Sequence, residues 1–325
     1  MISEFDALRL APLSMLRNAL QADRMGPMDK LPTYTAPADG RLSAEMIADF
    51  RAAGVLILEG FVSAERCREL REHTLELIEQ FDATEVKHVF SAAMTVEHGD
   101  AQLGDSYFEE SGDKIRYFFE ADAFDSEGNL QQSKENSLNK IGHALHDLDP
   151  EFDAFSRTPE LAEAVASLGY EQPVILQSMY ILKPPRIGGE VHCHQDSTYL
   201  YTEPESCIGF WFALEDATTE NGCMHFIPGE HKEPLRRLQY RASDGRMTYK
   251  TVNETPFPEN ATLPAEAKAG TLVIFDGRAP HLSEANHSAC SRHAYTFHVI
   301  DKSSHYPKEN WLQRAADMPM RGFET

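Results

Sequence analysis

Short apolar runs separated by turn-forming residues dominate the second half of the chain. The runs are rich in β-branched and aromatic side chains and cover Val174–Leu182, Ile208–Leu214, Met224–Ile227, Thr271–Phe275 and Tyr295–Ile300. Many short strands with such turns predict a sandwich or barrel, and a jelly roll is the variety that places a ligand cavity between two sheets. We therefore expect a mainly β protein with flanking helices and a double-stranded β-helix (jelly-roll, cupin-like) core at about residues 173–300.

Helical patterns are confined to the first half. Residues 2–24 have apolar side chains at helical spacing, broken by Pro12, and turn signals crowd residues 26–40. Ser43 and Ser63 are placed to cap two helices. We expect residues 1–40 to be an N-terminal extension and connector, and residues 41–325 to be a single domain. For residues 139–146, composition alone favours an ordinary helix surface.

Composition limits the partners. The net charge of −22 disfavours non-specific attraction to nucleic acid or to an anionic membrane. Five scattered cysteines without C-x-x-C spacing argue against a disulfide framework or a zinc knuckle and favour a reducing compartment. No apolar run approaches the ~20 residues that span a bilayer. We expect a cytoplasmic protein with no nucleic-acid or membrane partner, while composition leaves small-molecule and protein partners and the oligomeric state open.

The candidate chemistry is concentrated in residues 188–196, Gly-Gly-Glu-Val-His-Cys-His-Gln-Asp. In an extended strand His192, His194 and Asp196 share one face. A histidine and a carboxylate joined by a second, distant histidine leave open positions on an iron ion, as non-haem Fe(II) oxygenases require. His281, which follows a predicted strand and turn, is the candidate second histidine. With 14 histidines in the chain, one H-x-D match can arise by chance. His192 is a rival to His194, although the H-x-D spacing favours His194.

Arg292 lies eleven residues after His281 and just before the last predicted strand. Its planar guanidinium group can grip the far carboxylate of a dicarboxylate cosubstrate through two hydrogen bonds, which lysine cannot do. Several large side chains are candidates for the cavity wall, although a core role is the more frequent explanation for each: Met179, Tyr199, Phe210, Trp211 and Phe212.

Eleven short runs carry a resemblance that extends from about Ser43 to Trp311. They are Gly112–Arg116, Asn139–His146, Gln177–Ile181, Gly188–Val191, His194–Asp196, Leu200–Pro204, Glu215–Thr218, Glu220–Cys223, Phe226–Gly229, Ala294–His298 and Glu309–Gln313. In these runs the sequence resembles the phytanoyl-CoA dioxygenase family of Fe(II)- and 2-oxoglutarate-dependent oxygenases. The first 40 residues have no counterpart in this resemblance.

The resemblance implies specific roles for site residues. It implies that His194, Asp196 and His281 ligate Fe(II), and that Arg292 grips the distal carboxylate of 2-oxoglutarate. It also implies that Lys140, Met179 and Trp211 line the cosubstrate pocket, which conflicts with a helix-surface role for Lys140. Asp196 is present, whereas halogenating relatives lose this carboxylate.

The implied reaction is hydroxylation of a small organic substrate, possibly anionic or acyl, with O2 as oxidant and release of succinate and CO2. The alternative within the same fold is a cupin-type metal- or small-ligand-binding protein without turnover. One local feature bears on the substrate: residues 232–250 contain six basic and two acidic side chains. We hypothesise that Arg236, Arg237 and Arg241 dock an anionic group of the substrate.

Overall fold

Two serines begin the first helices, as their spacing predicts. In the computed structural model, which describes residues 28–83, 88–90 and 105–323, Ser43 caps α1 (Ala44–Ala53) and Ser63 caps α2 (Ala64–Gln80). Each serine hydroxyl accepts a hydrogen bond from a backbone N–H three residues later, at 3.2 and 3.1 Å. The broken helix expected at residues 2–24 lies outside the described residues.

The remaining elements follow in chain order and include no described helix long and apolar enough to cross a membrane. The helices are α3 (Ser106–Glu109), α4 (Leu145–Leu148), α5 (Pro150–Ser156) and α6 (Pro159–Ser167). The strands are β1 (Thr33–Thr35), β2 (Val55–Glu59), β3 (Ile115–Phe119), β4 (Leu138–His143), β5 (Pro173–Ile181), β6 (Val191–His194), β7 (Ile208–Ala213), β8 (Met224–Phe226), β9 (Arg237–Arg241), β10 (Met247–Thr251), β11 (Leu263–Ala265), β12 (Leu272–Asp276), β13 (His281–Ser283) and β14 (Ala294–Asp301).

The strands form two facing sheets and a separate ribbon. An eight-stranded sheet has the order β1-β2-β12-β7-β14-β5-β4-β3, and a four-stranded sheet has the order β11-β8-β13-β6. These two sheets are the predicted double-stranded β-helix, while β9 and β10 form a two-stranded antiparallel ribbon outside both. Strand β1 pairs in parallel with β2, so residues 33–35, which we assigned to the connector, form an edge of the large sheet.

The two faces of the large sheet have different tasks. On one face, aromatic rings of β7 and β14 pack against each other and against α5, with the Phe210 ring centroid 5.1 Å from that of Phe297 and the Phe212 centroid 5.0 Å from that of Phe155. Phe210 and Phe212 therefore belong to the core under the helices and do not wall the cavity. The alternate residues of the same strands, including Trp211, point to the opposite face.

Residues 139–146 correct one expectation. They do not form a helix surface, because residues up to His143 are strand β4, paired with β3 on one side and β5 on the other. Lys140 lies opposite Ile181 of β5 and is only 6% exposed. The buried His143 forms a hydrogen bond with the Ser111 hydroxyl, and the buried His146 forms one with the Ser178 hydroxyl, each at 2.7 Å. Pairing on both edges of the strand overrides the local pattern, in which polar and apolar residues are mixed without a clear periodicity.

Candidate active site

Three side chains from two strands and a turn converge at one point between the sheets. His194 at the end of β6 lies opposite His281 at the start of β13. Asp196 does not continue the strand as expected but begins a 3-10 turn, Asp196–Thr198. One potential ligand atom from each residue lies within 4.8 Å of the others. The Nε2 atoms of His194 and His281 are 3.4 and 3.9 Å from Asp196 Oδ1, so the three atoms are placed to bind one ion.

Backbone carbonyl groups orient both imidazoles. The Nδ1 atom of His194 is 2.8 Å from the His192 carbonyl oxygen, and the Nδ1 atom of His281 is 3.0 Å from that of Ala279. If Nδ1 donates in each case, each Nε2 presents a lone pair toward Asp196. The side chain of His192 instead lies 3.0 Å from Glu190. The geometry brings His194 into the cluster and leaves His192 out of it.

The pKa shifts of Asp196 and His281 favour the protonation states that metal binding needs, whereas burial of His194 is outweighed by the hydrogen bond with Asp196 and the charge of Asp196, which raise the pKa of His194. Burial by itself would raise the pKa of Asp196, but His298, His281 and hydrogen bonds with His194 and His298 outweigh burial and hold this pKa well below its ordinary value. Burial, followed by the proximity of His194, lowers the pKa of His281 to about 4. An ionised carboxylate and a neutral imidazole are the forms that bind a metal ion.

His298 completes the site and was not predicted as a functional residue. Its Nε2 atom is 2.6 Å from Asp196 Oδ2, the carboxylate oxygen that faces away from the two candidate metal-binding histidines. The side-chain amide nitrogen of Gln177 lies 3.2 Å from His298 Nδ1. If Gln177 donates to Nδ1, then Nε2 carries the proton and donates to Asp196. The only sequence signal was that His298 lies on β14 in the quoted run Ala294–His298, because its contact with Asp196 depends on the fold.

Arg292 is a buried cation without an anion. It is 2% exposed, and it donates from Nε to the Gly222 carbonyl oxygen at 3.2 Å and from Nη2 to Ser283 Oγ at 3.3 Å. Its Nη1 has no hydrogen-bond partner, and the guanidinium group forms no ion pair with any described residue. Burial lowers the pKa of Arg292 to about 10, so the group stays charged. A buried, charged guanidinium group with an unpartnered N–H donor is suited to binding an anion.

The other predicted cosubstrate residues, Lys140, Met179 and Trp211, lie on β4, β5 and β7 of the large sheet. Met179 of β5 and Trp211 of β7 flank Thr296 of β14 in register. The Arg292 guanidinium carbon lies 5.4 Å from the Trp211 ring centroid. Lys140 Nζ lies 3.3 Å from the centroid of the Phe90 ring, and burial lowers the pKa of Lys140 to about 7.

A cavity of about 210 Å³ opens beside the cluster. Its lining includes His194, Asp196, Lys140 and Met179, but Trp211 and Arg292 lie outside that lining. Eight further lining residues are apolar or aromatic: Phe90, Phe108, Leu200, Tyr199, Met247, Tyr249, Phe257 and Trp311. The cavity is therefore a place where an organic molecule can lie next to a metal ion bound by the cluster.

A jelly roll with a buried His-Asp-His cluster is typical of non-haem Fe(II) oxygenases. The family model described as phytanoyl-CoA dioxygenase (PhyH) matches residues 50–294, and the chain belongs to this family. Phytanoyl-CoA dioxygenase 1 of Oryza sativa subsp. japonica is 44% identical over 279 residues, covering 86% of this chain and 96% of the relative. Phytanoyl-CoA dioxygenase domain-containing protein 1 of Danio rerio is 42% identical over 288 residues, covering 87% and 99%.

Solved structures confirm the fold. The epimerase SnoN in complex with Fe3+, alpha ketoglutarate and nogalamycin RO aligns with a TM-score of 0.57 over 84% of this chain and 89% of that chain. Its sequence is 14% identical, so the likeness concerns the fold alone. The family and the His-Asp-His cluster together support a dioxygenase-type function.

Proposed function

We propose that the protein is a cytoplasmic Fe(II)- and 2-oxoglutarate-dependent dioxygenase that hydroxylates a small organic substrate. In this reaction a C–H bond of the substrate, 2-oxoglutarate and O2 are converted to an alcohol, succinate and CO2. The observation that carries the proposal is a buried arginine without an anion next to a three-ligand cluster. The five cysteines lie in the described part of the chain and are all free, in keeping with a reducing compartment.

The spacing between cluster and arginine supports the choice of cosubstrate. Arg292 donates to Ser283, which follows His281 by two residues on β13. Two residues of a strand span roughly 6.6 Å. A five-carbon dicarboxylate of comparable length would have one end at the cluster and its far carboxylate at Nη1, the donor that lacks a partner.

The chain's own residues would hold the iron and its cosubstrate in place. His194, Asp196 and His281 would bind Fe(II), with His298 fixing the second carboxylate oxygen of Asp196. When bound, Fe(II) would supply the site at which O2, the oxidant, is activated with electrons from 2-oxoglutarate, so that one oxygen atom enters the substrate and the other enters succinate. The apolar walls of the cavity would keep bulk water away from the reacting carbon.

Anaerobic spectroscopy tests the proposal. Fe(II) added with 2-oxoglutarate should give a visible metal-to-ligand charge-transfer band, and Asp196→Ala should abolish it together with succinate formation in air. Both the band and succinate formation require bound iron, and Asp196→Ala removes one of only three candidate protein ligands. Succinate formation by Asp196→Ala at the wild-type rate with stoichiometric iron would contradict the ligand assignment. A wild-type band without succinate formation for any substrate would instead favour the binding-protein alternative.

A further inference from the structure

The β9–β10 ribbon forms one wall of the cavity. Residues that alternate along it, Arg237 and Gln239 on β9 and Met247 and Tyr249 on β10, all line the cavity. Gln239 donates a hydrogen bond to the Tyr249 hydroxyl at 3.1 Å, which ties the two strands together on this face. The cavity therefore has a wall with its own polar groups, separate from the strands that carry the metal-binding cluster.

Of the three arginines in the hypothesis from the sequence, two are already neutralised. Arg236 is buried and forms an ion pair with Glu230. Arg241 is 3.0 Å from Glu109 and also donates to the Gly245 carbonyl oxygen at 2.8 Å. A charge that is already compensated gains little from a second anion. These two arginines hold the ribbon in place and are poor candidates for substrate binding.

Arg237 differs from its neighbours. Its guanidinium carbon lies 4.1 Å from the centroid of the Tyr249 ring, and within the described residues it forms no ion pair and no side-chain hydrogen bond. A cation–π contact orients a guanidinium group but leaves its hydrogen-bond donors free. Arg237 thus presents an oriented fork of donors at the cavity, although the chain as a whole carries a charge of −22. At physiological salt a charge acts over about 8 Å, so the local cation dominates for a ligand in the cavity.

The distance between Arg237 and the cluster restricts the ligand further. Tyr199 lies between them, because its ring centroid is 6.1 Å from that of His194 and its hydroxyl group interacts with that of Tyr249, on which Arg237 stacks. The cavity volume of about 210 Å³ lies below the roughly 300–1,000 Å³ of typical ligand pockets. The ligand body must be small, and its charged group must lie several bonds from the carbon next to the metal.

We propose that the substrate is a small organic anion whose carboxylate or phosphate group pairs with Arg237, while its apolar body lies among the aromatic rings toward His194. This inference rests on the proposed oxygenase function and adds the substrate class. The reacting carbon is remote from the anionic group, so the product is a hydroxy acid or hydroxyalkyl phosphate without a new bond at the charged end.

Ligand binding can be measured before the substrate is known. The protein with Fe(II) and saturating 2-oxoglutarate is titrated without O2 with short aryl and branched-chain carboxylates and phosphates, each paired with its neutral amide or alcohol. Tryptophan fluorescence reports binding, since the chain has two tryptophans and Trp311 lines the cavity. Arg237→Gln is the test variant, and Arg241→Gln is the matched control on the same strand.

We expect at least one anion to bind the wild type tenfold or more tightly than its neutral counterpart. Arg237→Gln should weaken binding of that anion about 10- to 100-fold and leave binding of the neutral compound unchanged. Arg241→Gln should keep the wild-type preference for the anion. The inference is overturned if no anion is preferred by the wild type, or if the preference persists in Arg237→Gln. The charge-transfer band of the same samples distinguishes failure of the proposed oxygenase function from failure of the proposed substrate class. Absence of the band refutes the oxygenase function. Presence of the band without a preference for anions refutes only the substrate class.

Discussion

His298 offers the sharpest test of how the proposed metal-binding cluster is held. The substitution His298→Leu keeps a buried side chain of similar size and removes the donor 2.6 Å from Asp196 Oδ2. A hydrogen bond to a charged, buried group contributes about 1.5–3 kcal/mol, which corresponds to roughly 10- to 150-fold in an equilibrium constant. Loss of such a group around a metal ligand typically weakens metal affinity 10- to 100-fold. We therefore expect Fe(II) to bind His298→Leu 10- to 100-fold more weakly.

Anaerobic titration of Fe(II) at fixed pH and saturating 2-oxoglutarate measures this affinity through the charge-transfer band. His298→Gln retains an N–H donor and should recover part of the loss, and Gln177→Leu should show a smaller weakening because His298 remains. His146→Leu is a matched control, since His146 is equally buried but bonds Ser178. It should lower the unfolding midpoint without changing iron affinity. Wild-type Fe(II) affinity in His298→Leu would refute a positioning role for this histidine.

Four further outcomes are expected. His194→Ala should abolish the charge-transfer band, whereas His192→Ala should keep it, and equal loss in both would reverse the choice of ligand. Arg292→Ala should raise the Kd for 2-oxoglutarate about 10- to 100-fold in calorimetry, while iron still binds. An unchanged Kd would mean that another cation holds the distal carboxylate of 2-oxoglutarate. Burial lowers the pKa of Lys140 to about 7, and the dianion 2-oxoglutarate bound nearby favours the charged amine. The affinity for 2-oxoglutarate should therefore weaken as pH rises from 6 to 9 in the wild type but not in Lys140→Met. An identical pH profile in both proteins would contradict a contact between Lys140 and 2-oxoglutarate. Gly209→Ala places a methyl group against the packed ring of Phe275 and should lower the free energy of unfolding by about 1–3 kcal/mol in chemical denaturation. Wild-type stability would mean that the Phe275 ring moves aside freely.

Local patterns in the sequence predicted most elements but not the contacts between distant ones. The serine caps and the apolar strand runs depend on neighbouring residues, so they were confirmed. Strand β4 was misread because its burial comes from pairing with β3 and β5, which are remote in sequence. His298 was missed for the same reason, since its partner Asp196 lies about a hundred residues away. The basic segment predicted an anion site, but only folding shows that Glu230 and Glu109 neutralise two of its arginines and leave Arg237 free of an ion pair among the described residues.

The ribbon of β9 and β10 has a consequence for how such proteins diversify. The ribbon belongs to neither sheet of the jelly roll. The side chains that would recognise a substrate therefore lie on a different element from those that would hold iron. Substitutions at Arg237 or Tyr249 can change which molecules are accepted without disturbing His194, Asp196 or His281. A new substrate preference can thus evolve through a few changes in one hairpin, while the oxidative chemistry is kept by a scaffold that need not change.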